Sequence, residues 1–187
     1  VVDPVNPAVP DTYTVTYNVS DSSGNSAKEA TRTVIVGDVL APEIALLGDA
    51  AVTVECGGTY TDAGATATDK CDGDLTDAIV TVNPVNPAAR GVYTVRYDVA
   101  DAAGNSATEV MRTVTVSDTT PPTIALNGSA ALTLECGGTY TDAGAAAADG
   151  CDGNLTSKIV VNNPVNPAAT GVYTVRYDVS DASGNSA

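Results

Sequence analysis

One segment is written three times at a fixed interval, and that interval constrains what this chain can fold into. It reads DTYTVTYNVSDSSGNSA from Asp11, GVYTVRYDVADAAGNSA from Gly91 and GVYTVRYDVSDASGNSA from Gly171. Gly24, Gly104 and Gly184 are spaced by 80 residues, as are Pro4, Pro84 and Pro164, and as are Cys56 and Cys136. The 187 residues are therefore two periods of 80 plus 27. A period of this length is a small domain rather than a solenoid unit. A domain of that size closes only a thin core, so further fastening is expected.

Within each copy the side chains alternate. Tyr93, Val95, Tyr97 and Val99 fall on one face, and Thr94, Arg96 and Asp98 on the other, which is the period of a half-buried strand. Asp101 to Asn105 supply turn chemistry, and a second strand runs from Thr108 to Val116. Upstream in the repeat, Ile44 and Leu46 alternate as one strand, Val52, Val54 and Cys56 as another, and residues 79–82 form a further one. The two prolines of NPVNP, from Asn83, lack donors and mark a rigid loop rather than a central strand. Between the two long repeats Val52 and Val54 become Leu132 and Leu134, apolar for apolar, which predicts a second strand with an inner face in both. No stretch keeps a helical period, and the chain has no Trp, Phe or His. The class is all-β. Residues 1–36 are the C-terminal half of a repeat, 37–116 a complete repeat, and 117–187 a repeat without its last strand.

Absence of His removes the commonest general base and the usual Ser-His and Cys-His nucleophile pairs. The formal net charge of −15 disfavours nucleic acid and anionic membrane surfaces, and favours divalent cations. No run of ~18 apolar residues exists, so no membrane insertion is expected in this segment.

The four cysteines form two pairs, Cys56/Cys71 and Cys136/Cys151, each 15 apart at the same place in its repeat. They read as disulfides within each repeat, each worth ~3 kcal/mol in a loop-entropy account, and point to an oxidising, extracytoplasmic location. Four free thiols or a shared zinc site are the alternatives, and zinc is disfavoured by the lack of a CxxC spacing.

Gly91-Val92-Tyr93-Thr94-Val95 resembles the start of strand F in immunoglobulin domains, with Tyr93 where the corner tyrosine stands and Val95 where the second cysteine stands. SDTTPPTIALNG from Ser117, GGTYTDAGATATD from Gly57, CDGDLT from Cys71 and YDVADAAGN from Tyr97 extend the likeness over essentially the whole chain. Together they resemble the bacterial Ig-like repeat of pesticidal crystal proteins and long bacterial surface proteins, with a weaker similarity to hyalin repeats. The resemblance implies tandem Ig-like antiparallel β-sandwiches, used outside the cell or at its surface as a stalk, spacer or adhesive module, and no catalysis. The cysteine pairs depart from it.

Acidic loops are the best candidates for chemistry. Asp69, Asp72 and Asp74 in one repeat correspond to Asp149, Asp152 and Asn154 in the next. Asp38 and Asp118 lie in the linkers, and Asp101 and Asp181 open the hairpin turns. In an antiparallel sandwich, linker, acidic loop and hairpin turn meet at one pole, where they would offer Ca²⁺ the hard oxygens it takes. The spacing is not that of an EF-hand, and the ordinary reading is a set of solvated turns. Paired carboxylates can also serve glycoside hydrolysis, but the chain offers no Trp or Phe platform for a sugar. Lys28, Lys70 and Lys158 stand at unrelated repeat positions, which argues against a recurring isopeptide crosslink. Asn18, Asn127 and Asn154 begin N-x-S/T sequons.

The reading reached is a non-catalytic structural array, a stalk or filament stiffened by disulfides and Ca²⁺. Its partners are neighbouring repeats and other copies of the chain, with strand exchange between half repeats as one route to a polymer. An adhesin module for glycan or protein, or an accessory domain of a secreted enzyme, is the alternative.

Overall fold

The computed structural model describes residues 1–187 and is built from short strands. In chain order these are β1 (Asp11–Tyr17), β2 (Ala30–Val36), β3 (Glu43–Leu46), β4 (Ala51–Glu55), β5 (Ala65–Asp69), β6 (Gly73–Asp74), β7 (Val80–Val82), β8 (Gly91–Asp98), β9 (Val110–Ser117), β10 (Thr123–Leu126), β11 (Ala145–Asp149), β12 (Gly153–Asn154), β13 (Val160–Asn162) and β14 (Arg176–Asp178). Two 3₁₀ turns, Thr76–Ala78 and Thr156–Lys158, sit at equivalent places in the two long repeats.

The sheets are antiparallel with one exception. β1 pairs with β2, β3-β5-β6 and β10-β11-β12 are three-stranded, β13 pairs with β14, and a four-stranded sheet runs β4-β9-β8-β7. In that sheet β4 runs parallel to β9, with Val52 opposite Val114 and Val54 opposite Val116. The architecture is all-β and Ig-like, as expected, with the parallel pair an addition that alternation alone does not reveal.

The chain forms two compact units. One holds residues 1–50, 63–83 and 96–111; the other holds 51–62, 84–95 and 112–187. In the first, Ala65 and Ala67 of β5 are buried, as are Tyr97 and Val99. In the second, Val95, Val114 and Val116 are buried, and Ala147, Leu155 and Val179 form a core against which Ile124 and Ile159 pack. Small alanines on the inner face of β5 and β11 let the layers approach closely, which suits a core without Phe or Trp.

The expected alternation holds in β8, where Val95 and Tyr97 are inside and Arg96 and Asp98 outside. The tyrosine at the start of this strand behaves as the resemblance implies. Tyr93 donates its hydroxyl to the Ala89 carbonyl at 2.8 Å, Tyr13 to Val9 at 3.0 Å and Tyr173 to Ala169 at 3.2 Å. The NPVNP loop is stitched by its own asparagines: Asn86 Oδ1 accepts from Ala88 N–H at 3.1 Å, as Asn166 Oδ1 does from Ala168 N–H.

Two expectations are corrected. Residues 131–135 do not form a strand, and Leu132 and Leu134 are 68% and 37% exposed. The equivalent β4 owes its geometry to the hydrogen bonds of β9, and no strand pairs with residues 131–135. Nor do the cysteines bond within repeats. The disulfide joins Cys56 to Cys151, 95 residues apart, and Cys71 and Cys136 are free and exposed. The reason is local packing. Cys56 N–H donates to Ser117 O at 2.7 Å, which extends the β4–β9 pairing by one residue and fixes Cys56 at the end of the sheet. There the backbone of Gly57 abuts that of Gly150, so close that a Cβ on Gly57 would meet the Gly150 carbonyl oxygen at 2.5 Å. The Cα atoms of Cys56 and Cys151 come to 5.2 Å, inside the range a disulfide spans.

Candidate metal centre

The hairpin turn after β8 is built around one carboxylate. Asp101 Oδ1 accepts from Asn105 N–H at 2.7 Å, and Oδ2 accepts from Asn105 Nδ2 at 2.7 Å. Asp21 and Asp181 do the same in the other two copies, with Asn25 and Asn185. Gly104 at φ +90° closes this turn, a conformation that costs glycine nothing. The asparagine then reaches the linker: Asn105 Nδ2 lies 3.4 Å from Asp38 O, and Asn185 Nδ2 lies 3.3 Å from Asp118 O. The acidic loop comes in from a third direction, with Asp72 Oδ2 accepting from Ala102 N–H at 2.7 Å and Asp152 Oδ2 from Ala182 N–H at 2.6 Å.

Linker, acidic loop and turn thus converge in both long repeats. Asp38, Asp72 and Asp101 offer carboxylate oxygens within 4.8 Å of one another, and so do Asp118, Asp152 and Asp181. Asp69 joins the first group through Asp38 and Cys71. Asp101, Asp118 and Asp181 are buried. Asp74 and Asn154 are placed elsewhere: each takes the N–H of Thr76 or Thr156 at 2.9 Å and so starts the 3₁₀ turn.

The electrostatics of these groups follow from their donors. Asp69 accepts the N–H groups of Asp72 and Cys71, which hold its carboxyl below the usual range. Asp149 receives the equivalent pair, from Cys151 at 2.7 Å and Asp152 at 2.8 Å. Burial opposes ionisation of Asp181, but hydrogen bonds from the Asn185 side chain and from the N–H groups of Asn185, Ser183 and Gly184 together outweigh it, and its carboxyl also lies low. Desolvation pushes the Cys71 thiol up, reinforced by the charges of Asp38, Asp69 and Asp72. Two oxygens are buried without any hydrogen-bond partner, Asp38 Oδ2 and Asp149 Oδ2. A buried carboxylate oxygen in that position lacks one hydrogen-bond donor or cation.

A second polar feature was not anticipated from the sequence. Arg112, on the inward parity of β9, is 1% exposed and ion-paired with Asp62, which also accepts the Tyr60 hydroxyl at 3.0 Å. A charged residue in phase with Val114 and Val116 was the available signal. In the following repeat the equivalent carboxylate, Asp142, accepts the Tyr177 hydroxyl at 2.5 Å.

Comparison with known proteins places these features in a family. A model described as "Bacterial surface protein, Ig-like domain" matches residues 1–36, 44–116 and 124–187. Hyalin of Strongylocentrotus purpuratus is 32% identical over 184 residues, 94% of this chain and 15% of that protein. The pesticidal crystal protein Cry22Aa of Bacillus thuringiensis is 32% identical over 133 residues, 69% of this chain and 18% of that protein. The chain thus spans less than a fifth of either relative. Among solved structures, the lipoprotein BT2262 of Bacteroides thetaiotaomicron matches with a TM-score of 0.38 and 23% identity, covering 46% of this chain and 45% of that one. With three successive matches that together take in nearly every residue, the chain belongs to the bacterial surface Ig-like domain family.

Proposed function

We propose that the chain is a non-catalytic spacer of an extracellular or cell-surface protein, a stalk or filament segment whose successive repeats are fastened to one another. The observation that carries this reading is the Cys56–Cys151 disulfide, which ties the second repeat of the sequence to the third rather than closing a loop within either. A binding module needs no such fixed geometry between copies; a spacer does. Polar contacts support the same joint: Arg90 pairs with Asp152 and donates to Ser183, and Glu55 accepts from the N–H groups of Thr119 and Thr120 at 2.8 and 3.0 Å. The test is small-angle scattering of the chain with and without reductant. A particle whose scattering profile becomes more variable on reduction is expected; profiles unchanged by reduction would count against a fastened spacer.

The paired carboxylate clusters are proposed as Ca²⁺ sites. Three carboxylates within 4.8 Å, with Asp38 Oδ2 of the first cluster lacking a donor, suit a hard cation; Asp149 lies outside the second cluster. Several oxygens are already engaged by backbone N–H groups, so waters would complete the shell. Affinity is then expected on the order of 10⁻⁴–10⁻³ M, the range of extracellular modules. Melting the chain in EDTA and in millimolar Ca²⁺ tests this: a ligand bound only by the folded state must raise the melting temperature. Equal melting temperatures would remove calcium from the reading.

A further inference from the structure

Each long repeat carries two cysteines in two different settings, and the bonded pair takes one from each setting. Cys56 follows Glu55 in an ECGG loop; Cys151 precedes Asp152 in a CDG loop. The free cysteines are the complementary ones: Cys136 stands in the second ECGG loop and Cys71 in the first CDG loop.

The loops keep their hydrogen bonds whether the cysteine is bonded or free, although Cys56 is buried at the end of β4 while Cys136 follows no strand and is exposed. In the ECGG loops Gly57 N–H donates to Pro87 O at 2.8 Å and Gly137 N–H to Pro167 O at 2.7 Å, while Gly58 and Gly138 close the turn onto Glu55 and Glu135 at 3.0 and 2.9 Å. In the CDG loops Asp69 Oδ1 accepts from Cys71 N–H at 2.7 Å and Asp72 N–H at 3.0 Å; Asp149 Oδ1 accepts from Cys151 and Asp152 at 2.7 and 2.8 Å. The free cysteines therefore sit on loops already shaped like those that bond. A Cβ on Gly57 would strike Gly150, whereas one on Gly137 would meet nothing within 4 Å, so the face that Gly57 fills is open at Gly137.

We propose that Cys56–Cys151 is one rung of a disulfide ladder: every repeat bonds forward through its ECGG cysteine and backward through its CDG cysteine. Cys136 and Cys71 are the forward and backward bonding sites for a further repeat of this sequence. The proposal rests on the spacer reading and deepens it by naming the residues of each joint. One contact of the existing joint is not repeated, because residue 170 is Thr where Arg90 stands. At that joint the covalent bond has less polar support beside it.

Bond formation uses a small-molecule disulfide as oxidant. Cys136 attacks it and one small thiol leaves; the CDG cysteine attacks the Cys136 sulfur and displaces the second. The two electrons lost by the cysteine pair reduce the small disulfide to two thiols, which take up the two protons.

The test extends the full chain in register. Ala187 closes the same GNSA sequence as Ala107, so residues 108–187 appended after Ala187 continue the period with one more 80-residue unit. After folding in a glutathione redox buffer, peptide mapping under non-reducing conditions should find Cys56–Cys151 retained and Cys136 bonded to the Cys151 of the added unit. Two thiols should remain reactive, Cys71 and the Cys136 of the added unit. Substituting the first Cys136→Ser should raise that number to three. A bond between Cys136 and the Cys151 of its own repeat, or a Cys136 still free in the extended protein, would overturn the ladder. Limited proteolysis of the same protein in reductant separates the two readings: an added unit that resists protease keeps the array whatever the bond map shows, and one that is digested removes the array and the ladder with it.

Discussion

Arg112 and Asp62 form an ion pair inside the protein, with the guanidinium 1% exposed and the carboxylate side chain 15% exposed. The guanidinium cannot exchange its partner for water without moving. Removing one member leaves the other as an uncompensated buried charge, which costs about 3–5 kcal/mol in comparable pairs. Asp62→Ala is expected to lower unfolding free energy by that order, read by denaturant melts. The double variant Asp62→Leu with Arg112→Met should recover most of the loss, because an apolar pair of similar volume is close to neutral in such places. A double variant as unstable as the single one would show that packing, not charge, is what the site demands.

Gly57 and Gly137 provide a matched pair of substitutions. Both have positive φ, +78° and +81°, so alanine pays a similar conformational penalty at each, about 1–2 kcal/mol. Only Gly57 also faces a carbonyl oxygen at 2.5 Å from a built Cβ. Gly57→Ala should therefore destabilise more than Gly137→Ala and should slow or prevent Cys56–Cys151 formation, as followed by thiol titration during oxidative folding. Equal effects would mean that the backbone gives way at no cost.

Disulfide removal should cost more than a short loop would suggest. Closing 95 residues restricts the unfolded chain by about 4–5 kcal/mol in the loop-entropy account. Cys56→Ser and Cys151→Ser should each lose that amount, and the double variant no more than either. Cys71→Ser and Cys136→Ser should leave stability within about 0.5 kcal/mol of the parent, as surface changes do. Urea denaturation in the absence of reductant reads all four.

The Tyr177–Asp142 hydrogen bond ties stability to pH at both extremes. The Tyr177 phenol, raised to about 12 chiefly by its bond to Asp142, contributes stability that is present below pH 10 and lost as pH rises toward 12. Asp142, lowered chiefly by that same hydroxyl and then by Gly144 N–H, contributes stability present above its ordinary value of 3.8 and lost as pH falls below it. Tyr177→Phe should flatten the alkaline limb of a stability–pH curve and weaken the acid limb, and should delete the highest-titrating tyrosine from an ultraviolet titration.

Much of this architecture can be read from residues. Alternation in β8 predicted its buried face correctly down to Val95 and Tyr97, because a strand's side-chain period is set by the backbone alone. The gathering of Asp38, Asp72 and Asp101 followed from topology, since linker, loop and turn share one pole. Cysteine pairing did not, because a separation of 15 in sequence says nothing about which loop of the next repeat lies closest; the contact of Gly57 with Gly150 decides it. The β4–β9 pairing is hidden from alternation for the same reason, being set by a strand 62 residues downstream. Leu132 and Leu134 show the converse: an apolar pattern copied from β4 is not a strand without the neighbour that supplies its hydrogen bonds. Arg112 was visible as a cation in phase with two valines, but its partner Asp62 lies in a loop where no period places it.

The parallel course of β4 and β9 has a mechanical consequence. One strand stands near the start of the second repeat and the other at its end, and they point the same way. Force applied to the two ends of that repeat pulls β4 and β9 in opposite directions along their common axis. Their five residue pairs, from Ala51 with Thr113 to Glu55 with Ser117, then resist sliding together rather than parting one after another. Tension along the chain therefore meets this repeat in the direction in which a pair of strands is hardest to separate.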